Sequence, residues 1–228
     1  LKKKFWINLM KNKELLLRIF SSIILIPLSF FVIYKGSFYF NVFLFIILIL
    51  SIKEWIKLSN NNYSLIIGVI FLFFSFITAY LIRNHYQENG LEILLFLIIV
   101  CVSTDMGGYV FGKILKGPKL TKISPNKTFA GVFGSFLLSI VISYVYFIQD
   151  YIKFNLGDLN ILEFIILIII LSFISQVGDL IISFFKRKSK LDNTGNLIPG
   201  HGGILDRIDG IIFVIPFFYI MNLLFKFL

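Results

Sequence analysis

Between Ser183 and Asp209 the chain interrupts an apolar run with Ser183, Lys186, Arg187, His201, Gly202, Gly203, Asp206, Arg207 and Asp209. Apolar segments flank them on both sides, and charges placed in a bilayer are costly unless they work there. Asp206 and Asp209 are spaced i, i+3, so at the start of a helix both point the same way. Such carboxylates suit Mg²⁺, a hard cation that keeps waters and also takes substrate phosphates. Arg207 adds a planar, permanently charged fork for a phosphate. Two more acids lie deeper. Asp105 and Asp179 each stand six residues before the end of an apolar segment, at Phe111 and Phe185, or about 9 Å inside it. Gln176, Asp179, Ser183 and Lys186 fall on one helical face, a polar stripe that suits a cavity better than lipid. The chemistry these residues predict is metal and phosphate chemistry at a membrane surface.

The elements that must hold them are membrane helices. The chain has 228 residues, 58% of them hydrophobic and 28 of them Phe, too apolar for an ordinary soluble domain. At roughly 20 apolar residues per crossing, seven segments are predicted, at 19–34, 38–52, 64–82, 91–111, 129–148, 161–185 and 208–225. The first two are short enough to lie partly in the interface. The fold class expected is an all-α integral membrane protein, a polytopic bundle of about seven transmembrane helices. Residues 1–90 form N-terminal helices, and 91–228 form a catalytic region with polar connections at 112–128 and 186–207. Lys2-Lys3-Lys4 before an apolar run resembles a signal peptide. No small-x-small site follows it, so the first span is read as uncleaved.

The net charge of +10 does not point to nucleic acid. With a cytoplasmic N-terminus, every Lys and Arg except Lys35, Arg83, Lys153 and Lys226 falls on the cytoplasmic side, as the positive-inside bias predicts. The acids Glu88, Glu92, Asp150, Asp158 and Glu163 fall on the far side. Cys101, the one cysteine, reads as a packing residue. Trp6, Trp55 and Tyr63 read as interface anchors.

Each signal has a plainer counterpart. A lone Asp105 or Asp179 serves as well as an interhelical hydrogen-bonding group. His201 between glycines suits a turn as well as a phosphate contact or proton transfer. Lys113 to Lys127 also satisfy topology alone. Gly108 and Gly112, on the face of Asp105, leave room for a ligand or for close helix contact. Four acids at one level are harder to explain without a metal.

The stretch Ser183-x-x-Lys186-Arg187, a short spacer, then Pro199-x-His201-Gly202-Gly203-x-x-Asp206-Arg207-x-Asp209 resembles the signature of bacterial phosphatidate cytidylyltransferases. Asp105-x-Gly107-Gly108-Tyr109-x-x-Gly112-Lys113, Ser124-Pro125-x-Lys127-Thr128 and Gln176-x-Gly178-Asp179 agree with it. The likeness covers the chain from about residue 100, while the N-terminal spans match in hydrophobicity only. Two positions depart: Asp192-Asn193 stands where the family has Lys-Asp, and Ala130 where a Glu precedes the glycine. Family roles at those positions are not carried over.

The resemblance implies transfer of the cytidylyl group of CTP to phosphatidic acid, giving CDP-diacylglycerol and pyrophosphate on the cytoplasmic side of a bacterial inner membrane. It implies Mg²⁺, alone or with a second metal or a monovalent cation. Asp179 and Asp206 become the primary metal ligands, supported by Ser183 and Asp209. Lys186, Arg187 and Arg207 hold phosphates, and His201 is a candidate for the pyrophosphate contact. Asp105, Lys113, Ser124, Lys127 and Thr128 form the nucleotide side, with Gly202 and Gly203 in the substrate loop. The expected partners are CTP, phosphatidic acid and the bilayer, with a homodimer left open. Rival readings are a CTP-dependent kinase of a polyprenol-type lipid and an ion or phosphate transporter. Against the transporter, no inverted repeat is visible. The Asp-Gly-x-x-Ala-Arg pattern of CDP-alcohol phosphotransferases is absent.

Overall fold

The computed structural model describes residues 2–85, 89–121, 123–148, 160–200 and 202–225. They form α1 (Lys2–Lys35), α2 (Ser37–Leu58), α3 (Asn62–His85), α4 (Gly90–Leu115), α5 (Phe129–Ile148), α6 (Ile161–Lys188), α7 (Leu205–Ile208) and α8 (Ile211–Phe225). Among the described residues there is no strand, only two isolated bridges, Lys119–Thr128 and Ile198–Gly202. Six of the helices are long and apolar enough to cross a membrane, and α8 is a shorter apolar one. The protein is an all-α polytopic membrane bundle.

Local chemistry sets the helix ends. At the head of α6, Glu163 N donates to Asn160 Oδ1 (3.0 Å) and Asn160 N donates to Glu163 Oε2 (2.9 Å), a reciprocal cap that satisfies two orphan donors. Its last turn carries Lys186, Arg187 and Lys188, the sign favoured at a helix C-terminus. The turn from α1 to α2 needs Gly36 at φ 62°, and Arg83 Nε donates to the carbonyl of Ile33 there (3.1 Å).

The predicted seventh span is not one continuous helix. Residues 209–210 interrupt it, leaving α8 with 15 residues, about 22 Å long and short of a hydrocarbon core alone. Gly210 lies so close to α6 that a Cβ there would strike Ser175 Oγ.

Phe96, Leu97 and Val100 of α4, Ile168 and Leu171 of α6, and Val214 and Phe218 of α8 form the main core. The outward faces of α1 to α3 stay apolar, with Ile23, Phe45, Ile67 and Ile70 exposed, as lipid contact requires. Trp55 corrects its sequence reading as an interface anchor. It is buried, sits edge-on to Phe185 at 4.7 Å, and donates Nε1–H to Ser64 O. Tyr63 is exposed, and the Trp6 side chain lies outside the described residues.

The α4–α5 seam settles what Gly107, Gly108 and Gly112 do. A Cβ at Gly107 would strike Gly134 O, and Gly108 and Gly112 face Gly131. Ser135 Oγ donates across the seam to Thr104 O (2.8 Å). The glycines serve close helix contact.

Candidate active site

Asp179 is the centre of one cluster. Lys127 Nζ, from the connection before α5, lies 2.5 Å from Asp179 Oδ2, and Ser183 Oγ donates to Asp179 Oδ1 (3.3 Å). The stripe read from spacing is therefore a polar face of α6, and among the described residues the Nε2 of Gln176, one turn earlier, is buried with no hydrogen-bond partner. The carboxylate of Asp209 lies within hydrogen-bonding reach of that of Asp179. Asp105, from α4, lies within electrostatic range of Asp179, Asp209, Lys127 and Arg207. Asp105, Arg207 and Asp209 are among the residues lining a largely apolar cavity of about 270 Å³, with Ile33, Phe40, Ser29 and Ser75 also in its wall. Among the described residues no three His, Cys, Asp or Glu side chains make a metal cage. The adjoining Asp179 and Asp209 offer a two-carboxylate pair instead.

Asp206 belongs to a different network, which corrects the expectation that it and Asp209 point the same way. Its Oδ1 accepts from Lys186 Nζ at 2.7 Å. Its Oδ2 accepts from Thr194 N (2.9 Å), Thr194 Oγ1 (3.1 Å) and Gly203 N (3.0 Å). Glu54, near the end of α2, completes the network. It accepts from Thr194 Oγ1 (2.7 Å), Ile204 N (2.9 Å) and Leu205 N (2.9 Å) while only 5% exposed. Two carboxylates thus fasten the loop between α6 and α7 from either side. Gly203 is glycine because a Cβ would strike Thr194 Oγ1 and Glu54 Oε2. Lys186 and Asp206 are 13% and 6% exposed, so Lys186→Met leaves a buried carboxylate unpaired. A loss of about 3 kcal/mol is expected, read as a lower melting temperature of the purified protein beside a weaker apparent affinity for CTP.

Other predicted residues are placed as follows. Ile198 and Gly202 exchange backbone hydrogen bonds (2.9 and 3.2 Å), closing a tight turn in which Gly200 and Gly202 take φ 76° and 92°, a conformation that favours glycine. His201 lies outside the described residues. Thr128 Oγ1 accepts from Gly131 N (3.1 Å) and so caps α5. Ser124 N donates to Thr121 Oγ1 (3.2 Å) within the same connection, which leads to Lys127. Lys113 turns to Tyr109 on its own helix. Arg187 pairs with the exposed Asp192 at 2.6 Å, so one of the departing residues has a surface partner. The structure therefore joins Asp105, Asp179, Asp209, Ser183 and Lys127, and Lys186, paired with Asp206, lies within electrostatic range of Asp179 and Asp209 as well.

Glu54, Thr194 and Arg18 went unnoticed in the sequence. Arg18 Nε donates to Gly200 O (2.8 Å) and Ser21 Oγ to Pro199 O (3.2 Å), tying α1 to the same loop. Glu54 had a signal, being an ionisable residue close behind an apolar segment. Thr194 had none.

Comparison with known proteins identifies the family. The model of the cytidylyltransferase family matches residues 16–88 and 60–225. Phosphatidate cytidylyltransferase of Rickettsia typhi is 35% identical over 224 residues, 95% of this chain and 96% of that protein. The Rickettsia bellii protein of the same name is 34% identical over 94% of this chain and 95% of its own length. That of Haemophilus influenzae is 40% identical over 136 residues, 59% of this chain and 47% of its own. The likeness thus reaches well into the N-terminal spans, beyond the C-terminal half in which the motifs stand. The chain belongs to the cytidylyltransferase family.

Proposed function

We propose that this protein transfers the cytidylyl group of CTP to phosphatidic acid, releasing pyrophosphate and leaving CDP-diacylglycerol in the membrane. The observation that carries the reading is the meeting of Asp179 and Asp209, from separate elements, beside Lys127. A phosphate oxygen of phosphatidic acid forms a bond to the α-phosphorus of CTP, and the bond from that phosphorus to the pyrophosphate oxygen breaks. No general base is needed, because a phosphate monoester is already largely ionised near neutral pH.

The donor set fits Mg²⁺. Two carboxylates at hydrogen-bonding distance repel unless a proton or cation lies between them, and Mg²⁺ takes one or two carboxylates with the rest of its shell from water and phosphates. Asp179 and Asp209 would hold it, with Asp105 nearby and Ser183 fixing the Asp179 rotamer. When bound, the ion neutralises the polyphosphate and helps align attacking and leaving oxygens. Lys127 offers a cation that can exchange Asp179 for a phosphate. Lys186 holds Asp206, and with it α7, which carries Arg207, in place. The largely apolar cavity that Asp105, Arg207 and Asp209 help to line suits an acyl chain with its headgroup beside these charges. The distribution of Lys and Arg supports a site at the cytoplasmic face of a bacterial inner membrane.

The test is a purified-protein assay with labelled CTP, phosphatidic acid and Mg²⁺. CDP-diacylglycerol and pyrophosphate are expected, lost on adding chelator and restored by excess Mg²⁺. Phosphorylation of a lipid alcohol, with no product from phosphatidic acid, would refute the assignment.

A further inference from the structure

A second cavity, polar and of about 570 Å³, lies between the start of the α1 span and the loop that precedes α7. Arg18 and Arg207 line it, together with Asn193, Asn196 and the backbone around Pro199 and Gly200. Among the described residues no acidic side chain lines it. Its volume falls within the range of small-molecule sites, about 300–1,000 Å³. Two guanidiniums and two amides make a poor wall for an acyl chain and a good one for a multiply charged anion, since arginine forks match phosphate oxygens.

Two bonds fix the Arg18 side of this space. Arg18 Nε donates to Gly200 O, which sets the guanidinium against the loop, and one helical turn on Ser21 Oγ shares its one proton among Pro199 O (3.2 Å), Leu17 O (2.9 Å) and Arg18 O (3.0 Å). The Gly200 carbonyl can take that bond because the residue sits at φ 76° in the tight turn. Arg207 fixes the other side. It also lines the largely apolar cavity that Asp105 and Asp209 line, so the two cavities share a wall. An anion held between Arg18 and Arg207 therefore lies next to the carboxylates that take part in the transfer.

We propose that Arg18 and Arg207 clamp a phosphate group of a substrate in this polar cavity, making the first membrane helix part of the binding site. The inference rests on the cytidylyltransferase reading above and deepens it. A phosphate of CTP and the phosphomonoester of phosphatidic acid share the required chemistry.

The experiment uses the full chain in lipid nanodiscs, with R18A, R18K and S21A beside the wild type. Steady-state kinetics against CTP and phosphatidic acid are combined with calorimetric titration of inorganic pyrophosphate, which reports binding without turnover. Losing one charge-assisted phosphate contact should raise one apparent KM about tenfold or more, with kcat changed far less. R18K keeps the charge but loses the fork, and should fall between R18A and wild type. A raised KM for CTP with weakened pyrophosphate binding assigns the clamp to the nucleotide, and a raised KM for phosphatidic acid alone assigns it to the lipid. The proposal is overturned if R18A leaves both KM values and the pyrophosphate affinity unchanged. It is equally overturned if S21A, which loosens α1 without altering the cavity's charge, reproduces the R18A effect. Should R18A fail to fold, R18K against S21A decides by the same criteria. A wild type that makes no CDP-diacylglycerol sinks the activity instead, and pyrophosphate titration of wild type and R18K still judges the clamp.

Discussion

Asp179→Asn is expected to lower the rate of CDP-diacylglycerol formation by about a thousandfold, the scale of losing one preorganised electrostatic contact to the reacting phosphates. The change keeps side-chain shape and removes charge. It takes away one of the two carboxylates in reach of each other and the partner of Lys127. Because Asp179 is partly exposed, the helix packing around it should hold. The melting temperature and detergent elution profile are expected to match the wild type. Asp209→Asn should behave alike, since both sit in one cluster. Asp206→Asn should differ, losing stability together with rate, because it abandons the buried Lys186. Turnover of Asp179→Asn within tenfold of the wild type would remove the carboxylate pair from the mechanism.

Glu54→Ala is the second large effect. It strips acceptors from two buried backbone N–H groups, at Ile204 and Leu205, and from the Thr194 hydroxyl. Each unsatisfied buried donor costs about 1–3 kcal/mol, so a loss of about 3 kcal/mol or more is expected even if water repairs part of it. The loop carrying Asn193 and Gly203, and α7 with Asp206, would lose the Glu54 hold on α2. A sharp fall in kcat and faster proteolysis between Lys186 and Arg207 should follow. Glu54→Gln keeps one acceptor oxygen but turns an NH₂ toward a donor, and should lie between. Wild-type protease resistance and kcat in Glu54→Ala would show that Asp206 and the α1 contacts hold the loop without it. Glu54 is a positioning residue, since it acts on the loop and not on a substrate.

The spans were legible because a helix in lipid must be apolar for a bilayer's thickness, and composition alone records that. The α6 face was legible because spacing by three and four places side chains on one side of an unbroken helix, as Ser183 beneath Asp179 demonstrates. The same rule misled at Asp206 and Asp209. There the helix is interrupted at 209–210, and the loop before it draws Asp206 away to Thr194 and Gly203. Glycine spacing on α4 left two meanings open, and only the position of α5 chose between them. Glu54 and Arg18 lie far along the chain from the loop they hold. Their bonds to it span about 150 and 180 residues of sequence, and no local pattern encodes a contact that long-range packing creates.

Thr194 has one proton to give and two claimants for it. Its oxygen stands 2.7 Å from Glu54 and 3.1 Å from Asp206, and a hydroxyl can donate to only one of them fully at a time. The unfavoured carboxylate must then lean harder on its amides. Drawing Lys186 away from Asp206 would leave that carboxylate the stronger claimant, and the same proton would then be turned from a residue on the second membrane helix by rotation about one carbon–oxygen axis.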